Sequence, residues 1–266
     1  TSKGIINPKL PFNFNSKEGG GIIAGFLFDG GINSVGVPNY GDTNLENRIS
    51  FVENMKGVFG DVHINKKELG EKRIQINFSK IIGVILQELN IEKGSKLNKN
   101  KQVPSFILNG NKNIIKGFLQ RAFEDEGSPS YFKKKAYRRI NFEQNIDVTN
   151  LNQNTRKLII ERKIAPKCPD TILQIKQLLK KLKVESSIHF SKERNHIKGI
   201  SHTIEIRISG KENLENFQNN IDFLSQIKKE KLQNMLKSYK QIQYRNGEAK
   251  ENIFKICKKL QKKKED

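Results

Sequence analysis

Two short segments of this chain, 97 positions apart, can be laid over one another without a gap. Ala24-Gly25-Phe26-Leu27-Phe28-Asp29-Gly30 falls on Arg121-Ala122-Phe123-Glu124-Asp125-Glu126-Gly127, matching small residues, a Phe and a terminal acid-Gly pair. The first segment closes a stretch apolar on every face, Ile22 to Phe28, and the second a predicted helix, Ile114 to Phe123, that runs into Glu124-Asp125-Glu126-Gly127. A helix apolar on every face belongs in an interior, and a glycine just past it acts as a C-cap. Ala24 and Gly25 are small enough for another backbone to approach closely. Two copies of one unit predict two similar halves sharing a core.

The segments after each copy extend the repeat. Lys72 to Lys80 (KRIQINFSK) corresponds to His202 to Lys211 (HTIEIRISGK). Period-2 alternation predicts strands over 48–52, with Ile49 and Phe51 inward, and over 73–78, with Ile74, Ile76 and Phe78 inward. Further strands are predicted over 139–142, 187–190 and 203–208. Helical spacing predicts helices over 79–90, 114–123, 211–221, 226–239 and 170–182, the last with Asp170 as N-cap. The expected fold class is α+β, a pseudo-two-fold duplication of αββαββα halves. Expected boundaries are an N-terminal arm over 1–20 with Gly19–Gly21 as a flexible joint, a first half over 21–110, a second over 111–240, and a basic helix and tail over 241–266. Residues 93–101 read as a polar basic loop.

Composition then narrows the partner. The chain has 266 residues and 49 Lys+Arg against 28 Asp+Glu, a net charge of +21. Such a field attracts polyanions, nucleic acid above all. At 35% hydrophobic residues the chain holds enough apolar surface for a core. No run approaches the ~18 apolar residues of a membrane span. Two cysteines, Cys168 and Cys257, exclude a disulfide framework and point to a reducing compartment, so an intracellular location is expected, in an archaeal or bacterial cytoplasm or an organelle.

With its two motif copies the sequence resembles the LAGLIDADG homing endonucleases in their double-motif, single-chain form. The resemblance covers residues 10–240. It implies that the motif helices pack together at the interface between the halves and that an antiparallel β-sheet saddle receives DNA. It further implies that Asp29 and Glu126 share an active site as catalytic acids, binding Mg²⁺ together with Gly30, for a staggered double-strand cut by a monomer at a long asymmetric target. Paired carboxylates suit a divalent ion that prefers oxygen ligands, and such ions neutralise charge in phosphodiester hydrolysis.

Two departures from the family pattern stand out. Anchoring the first motif on Gly25 would place Gly30 where the acid belongs. The register shared with the second motif selects Asp29, and a slip of one there would substitute Asp125 for Glu126. The family's solvent-organising polar residue near the end of the first strand falls on Gln144 in the second half. In the first half Asn54 is a poorer match, with Lys56 nearby.

Outward strand positions supply the expected DNA contacts: Arg48, Ser50, Arg73, Gln75, Asn77, Arg139, Asn141, Ser187, His189 and Arg207. Arg reads guanine in the major groove and Asn or Gln reads adenine, while lysines contact phosphates. The leading expectation is an intron- or intein-encoded, metal-dependent endodeoxyribonuclease acting on double-stranded DNA. The rivals are a maturase-like RNA-binding splicing cofactor, a cleavage-impaired DNA binder on the same fold, and a basic ribonucleoprotein component.

Overall fold

The computed structural model describes residues 4–70, 73–94, 101–132, 137–160, 168–196 and 199–239. The expected tail over 241–266 lies outside them. In chain order the elements of the first half are β1 (Ile5–Pro8), α1 (Lys17–Leu27), β2 (Gly31–Ile32), β3 (Pro38–Asp42), α2 (Leu45–Phe59), β4 (Gly60–Val62), β5 (Asn65–Leu69), β6 (Arg73–Asn77) and α3 (Lys80–Glu88). After the short α4 (Ser105–Leu108) come α5 (Lys112–Glu126), β7 (Gly127–Phe132), β8 (Tyr137–Asp147), α6 (Gln153–Ile160), α7 (Asp170–Lys181), β9 (Ser187–His196), β10 (Gly199–Ser209) and α8 (Lys211–Asn220). Residues 226–239 form one more helix.

Both halves build a four-stranded antiparallel sheet of the same topology. The orders are β2-β3-β6-β5 and β7-β8-β10-β9, so in each the fourth strand of the half lies between the second and the third. Of the segments matched by sequence, 73–80 and 202–211 occupy equivalent places, each running along the fourth strand and through the turn into the following helix. The mixed α+β class with antiparallel sheets is as expected. No described helix is long and apolar enough to cross a membrane.

The motif helices α1 and α5 pack directly against each other. Gly20 and Gly117, near the N-termini, are points of close backbone approach between them. A Cβ built on Gly20 would overlap the carbonyl oxygen of Ile114, and one on Gly117 would overlap that of Lys17. Gly25 instead makes room for the ring of Phe51. This corrects the reading of Gly19–Gly21 as a joint. The helix already starts at Lys17, capped by Ser16 Oγ accepting from the Gly19 N–H at 3.1 Å, and within it Gly20 is where the second helix passes.

Residues 48–52, expected as a strand, lie inside α2. Asn44 caps that helix by accepting the Glu46 N–H, and its buried side includes Phe51, Met55, Val58 and Phe59 at helical spacing. Ile49, expected inward beside Phe51, is accordingly exposed. The N-cap of α7 is Pro169, with Asp170 in the first turn.

The hydrophobic core is continuous across both halves. Phe26 lies edge-on to Phe51 at 5.2 Å within the first half, and Phe123, Phe142 and Phe217 form a chain in the second. Phe28, at the end of α1, reaches Phe142 of the other half at 5.4 Å between ring centroids.

Candidate functional site

The C-terminal ends of α1 and α5 deliver acids to one place. α1 stops at Leu27, and the Gly30 N–H closes its end on the Gly25 carbonyl at 2.7 Å. Asp29 stands in that turn. A Cβ on Gly30 would press on the Asn39 carbonyl at 2.5 Å, so close strand approach demands glycine there. α5 continues through Asp125 and Glu126, and β3 ends on Asp42. Carboxylate oxygens of Asp29, Asp42 and Asp125 lie within 4.8 Å of one another.

Asp125 is the best supported of the three. Its side chain is fully buried, accepts the Tyr40 hydroxyl hydrogen at 2.9 Å through Oδ1, and lies 3.7 Å from Arg121 Nη1. Burial pushes its pKa well above the usual carboxylate range; Arg121 and the Tyr40 hydrogen bond oppose that shift, while Asp29 and Asp42 add to it. Its other oxygen, Oδ2, is buried with no hydrogen-bond partner. Burial likewise raises the pKa of Tyr40, reinforced by the neighbouring Asp125 charge. Asp42 is positioned by its own turn: its carboxylate accepts from the Asn44 N–H and from Asn47 Nδ2, both at 2.8 Å.

Arg121, aligned with Ala24 of the first motif, crosses from the second half into the first. It is completely buried and donates to Tyr40 Oη at 3.1 Å and Ser50 Oγ at 3.0 Å. Its guanidinium also lies over the rings of Tyr40 and Phe51 at 5.5 and 5.6 Å. A second cation, Lys101, comes from the segment between the halves. Its ammonium sits 5.9 Å from the Phe28 ring centroid. Burial lowers its pKa, against the opposing pull of Glu126 and then Asp29. Both motif acids therefore lie within electrostatic reach of one lysine.

The donor set fits a hard divalent cation. Three carboxylates converge, and one oxygen is buried without a partner, which leaves an acceptor for an ion to satisfy. The converging trio contains Asp29 and Asp125 together with Asp42, which sequence patterning did not single out. Glu126 is exposed at the end of α5. Glu124, one turn before Gly127, has a different task. Its Oε2 accepts the N–H groups of Leu224 and Ser225 at 2.8 and 3.1 Å, while Lys228 donates to the carbonyls of Glu124 and Gly127 and so caps α5.

The other expected site residues divide by element. Arg48 and Ser50 do not stand on an outward strand face. They belong to α2, where Arg48 is buried and donates to the Asp42 carbonyl at 2.7 Å and Ser50 accepts from Arg121. Asn54 and Lys56 lie on the same helix rather than at a strand end. Arg73, Gln75 and Asn77 alternate with Ile74 and Ile76 along β6. Arg139 and Asn141 occupy β8, Ser187 and His189 β9, and Arg207 β10, all on the face opposite the buried Ile140, Phe142, Ile206 and Ile208. Gln144 shares the helix-facing side with Ile140 and Phe142, and its Oε1 is buried without a hydrogen-bond partner. Arg121, Tyr40, Asp42 and Lys101 escaped the sequence reading. None of these stood out in the sequence, because Arg121 shares its helix with Lys112, Lys116 and Gln120.

No protein-family model matches the chain, and no curated protein matches it in sequence. Among solved structures, full-length WhiA from Thermatoga maritima is similar at a TM-score of 0.48 and 12% identity, over 91% of this chain and 69% of that one. I-DmoI bound to DNA and manganese is similar at a TM-score of 0.44 and 14% identity, over 79% and 97%. An I-DmoI variant bound to its target DNA with magnesium gives a TM-score of 0.46 and 13% identity, over 78% and 97%. The I-DmoI of these structures is a homing endonuclease.

Proposed function

We propose that this protein is a metal-dependent, site-specific DNA endonuclease. The observation that carries the reading is the convergence of Asp29, Asp42 and Asp125 where the motif helices end. Those three carboxylates would hold the cation, with Glu126 beside them at the end of α5. A divalent cation, when bound, supplies charge neutralisation for the oxygens of a phosphodiester. The chain's own groups do the rest: Arg121 and Tyr40 fix the Asp125 carboxylate, and Asn47 and the Asn44 amide fix Asp42. Lys101 would add a positive charge for a phosphate bound beside Asp29 and Glu126, both of which act on it electrostatically. Two polar sheet faces and a net charge of +21 suit a duplex. A magnesium requirement, a monomeric state and an intron-encoded origin belong to the same proposal.

A second reading has its own observation. Arg121 and Lys101 already place positive charge beside Asp125 and beside Asp29 with Glu126. Acids balanced internally in this way do not require a metal, and the protein would then bind DNA without cutting it. Incubation with a randomised duplex library in Mg²⁺ and in Ca²⁺ separates the two. Discrete products in Mg²⁺ alone support the nuclease; duplex retained but intact in both favours the binder.

A further inference from the structure

The two sheets present different chemistry on the faces turned away from the helices. In the first half, the register sets Asn39, Asn77 and Asn65 in one row across β3, β6 and β5, with Gly41, Gln75 and Lys67 in the next row on the same face. Gln75 Nε2 donates to Asn77 Oδ1 at 2.6 Å, so the two carboxamides form a joined pair. Arg73, on the same face, donates to the Gly41 carbonyl at 3.3 Å, and Lys67 stands opposite Gln75. Four carboxamides, Asn39, Asn65, Gln75 and Asn77, fill the middle of this face, with Lys67 and Arg73 beside them.

The second half differs. Asn141, Arg207 and Ser187 share one row across β8, β10 and β9; Glu143, Glu205 and His189 share the next, and Arg139 stands opposite Ser209 beyond. Glu205 lies between the two arginines. Its Oε2 accepts Arg207 Nε at 2.7 Å and lies 3.8 Å from Arg139 Nη2. Arg139 is also stacked on the Tyr137 ring at 3.9 Å. With Nε engaged by Glu205, the terminal nitrogens of Arg207 form the edge offered to a base. A guanidinium held in this way loses little freedom on binding and matches the paired acceptors of guanine. Carboxamides instead match the donor and acceptor of adenine.

We infer that the chain reads an asymmetric duplex in which the half-site under β2-β3-β6-β5 is A·T-rich, while the half-site under β7-β8-β10-β9 carries guanines facing Arg139 and Arg207. Glu205 is the positioning residue for both arginines. The inference rests on the DNA-binding part of the function proposed above. B-form DNA is the partner because its major groove admits strands, whereas the deep, narrow major groove of an RNA helix does not.

The test is selection of randomised DNA duplex by the full chain in Ca²⁺, followed by sequencing, with cutting assayed in parallel in Mg²⁺. The expected motif has guanine preference confined to one half. Arg207→Ala should weaken that preference 5- to 100-fold at one or two positions and leave the other half unchanged. Gln75→Ala should relax adenine preference in the opposite half. Glu205→Gln should erode discrimination at both arginine-read positions, where a purely structural role would lower affinity for all sequences alike. Guanines spread equally over both halves, or a motif unmoved by Arg207→Ala, would overturn this inference while leaving Mg²⁺-dependent cutting intact. Selection that enriches no DNA sequence, with no cutting, or that succeeds only with RNA, would overturn the proposed function and this inference with it.

Discussion

Gly20 and Gly117 meet the opposite motif helix reciprocally, the first lying on the carbonyl of Ile114 and the second on that of Lys17. Both pairs are related by the 97-position offset that aligns Asp29 with Glu126. A contact in which residue i meets j while j's counterpart meets i's is how two equivalent surfaces dock on themselves. The alignment of the motifs therefore has a physical counterpart in the helix crossing, about two and a half turns along the chain from the acids.

Gly117→Ala should destabilise the protein despite the better helix propensity of alanine. The added methyl meets backbone rather than a movable side chain, and overpacking of this kind costs about 1–3 kcal/mol. For a chain of this size that lowers Tm by roughly 2–10 °C. Gly57→Ala is the contrast, because its methyl meets only the flexible Glu18 side chain at 3.0 Å. Thermal unfolding of the two variants should move in opposite directions or leave Gly57→Ala unchanged. An equally stable Gly117→Ala would show that the helices are not in contact there.

Arg121 ties the halves together, and its removal should be costly in one background only. Arg121→Met strands the buried Asp125 carboxylate, a loss of about 3–5 kcal/mol. Adding Asp125→Asn to Arg121→Met removes the stranded charge and should restore more than half of that loss. Denaturant unfolding of the double-mutant cycle measures the coupling. Strict additivity would mean that the 3.7 Å pair contributes nothing.

The repeated topology was legible because its signals are local. The alternation of Arg73 to Phe78 and of Thr203 to Ile208, and the apolar stripes of α5 and α7, need no tertiary information. Arg48 to Val52 misled because five residues of apparent alternation fit a strand, whereas Phe51, Met55, Val58 and Phe59 recur at i, i+4, i+7 and i+8, the pattern of a helix. The acid trio was half legible. Asp29 and Asp125 belong to the motifs, but Asp42 reaches them only because β3 lies beside β2 and ends there. Lys101 could not have been found. In sequence it is one more lysine of a basic loop, and its burial against Phe28 is a consequence of how the halves pack.

Divalent cation should stabilise the protein more at high pH than at low. The folded-state pKa of Asp125 is raised above its ordinary value of 3.8, so the folded protein holds that proton more tightly than the unfolded chain. The stability gained from the proton is complete below the unfolded value and is lost as pH rises through the folded one. A cation competes with the proton for the same carboxylate, so its contribution grows over that window. At ten times Kd it is worth about 1.4 kcal/mol. Thermal shifts with Mg²⁺ at pH 5.5 and pH 8, at matched ionic strength, should differ in that sense and vanish in Asp42→Asn. Equal shifts at both pH values in the parent and in Asp125→Asn would remove Asp125 from the site.

Lys101 decides how strongly the site wants a cation of its own. Its ammonium is drawn toward Glu126 and Asp29, so part of the negative potential at the motif ends is already offset. Replacing it by methionine keeps the contact with Phe28 but removes the competing charge. Lys101→Met should bind a luminescent lanthanide or Mn²⁺ more tightly, by about tenfold, or about 1.4 kcal/mol. If DNA is bound as proposed, the variant should also bind duplex DNA more weakly, since one positive charge is lost. The two effects have opposite signs, which a general loss of folding cannot produce. Unchanged metal affinity in Lys101→Met would place the lysine too far from the acids to act on either.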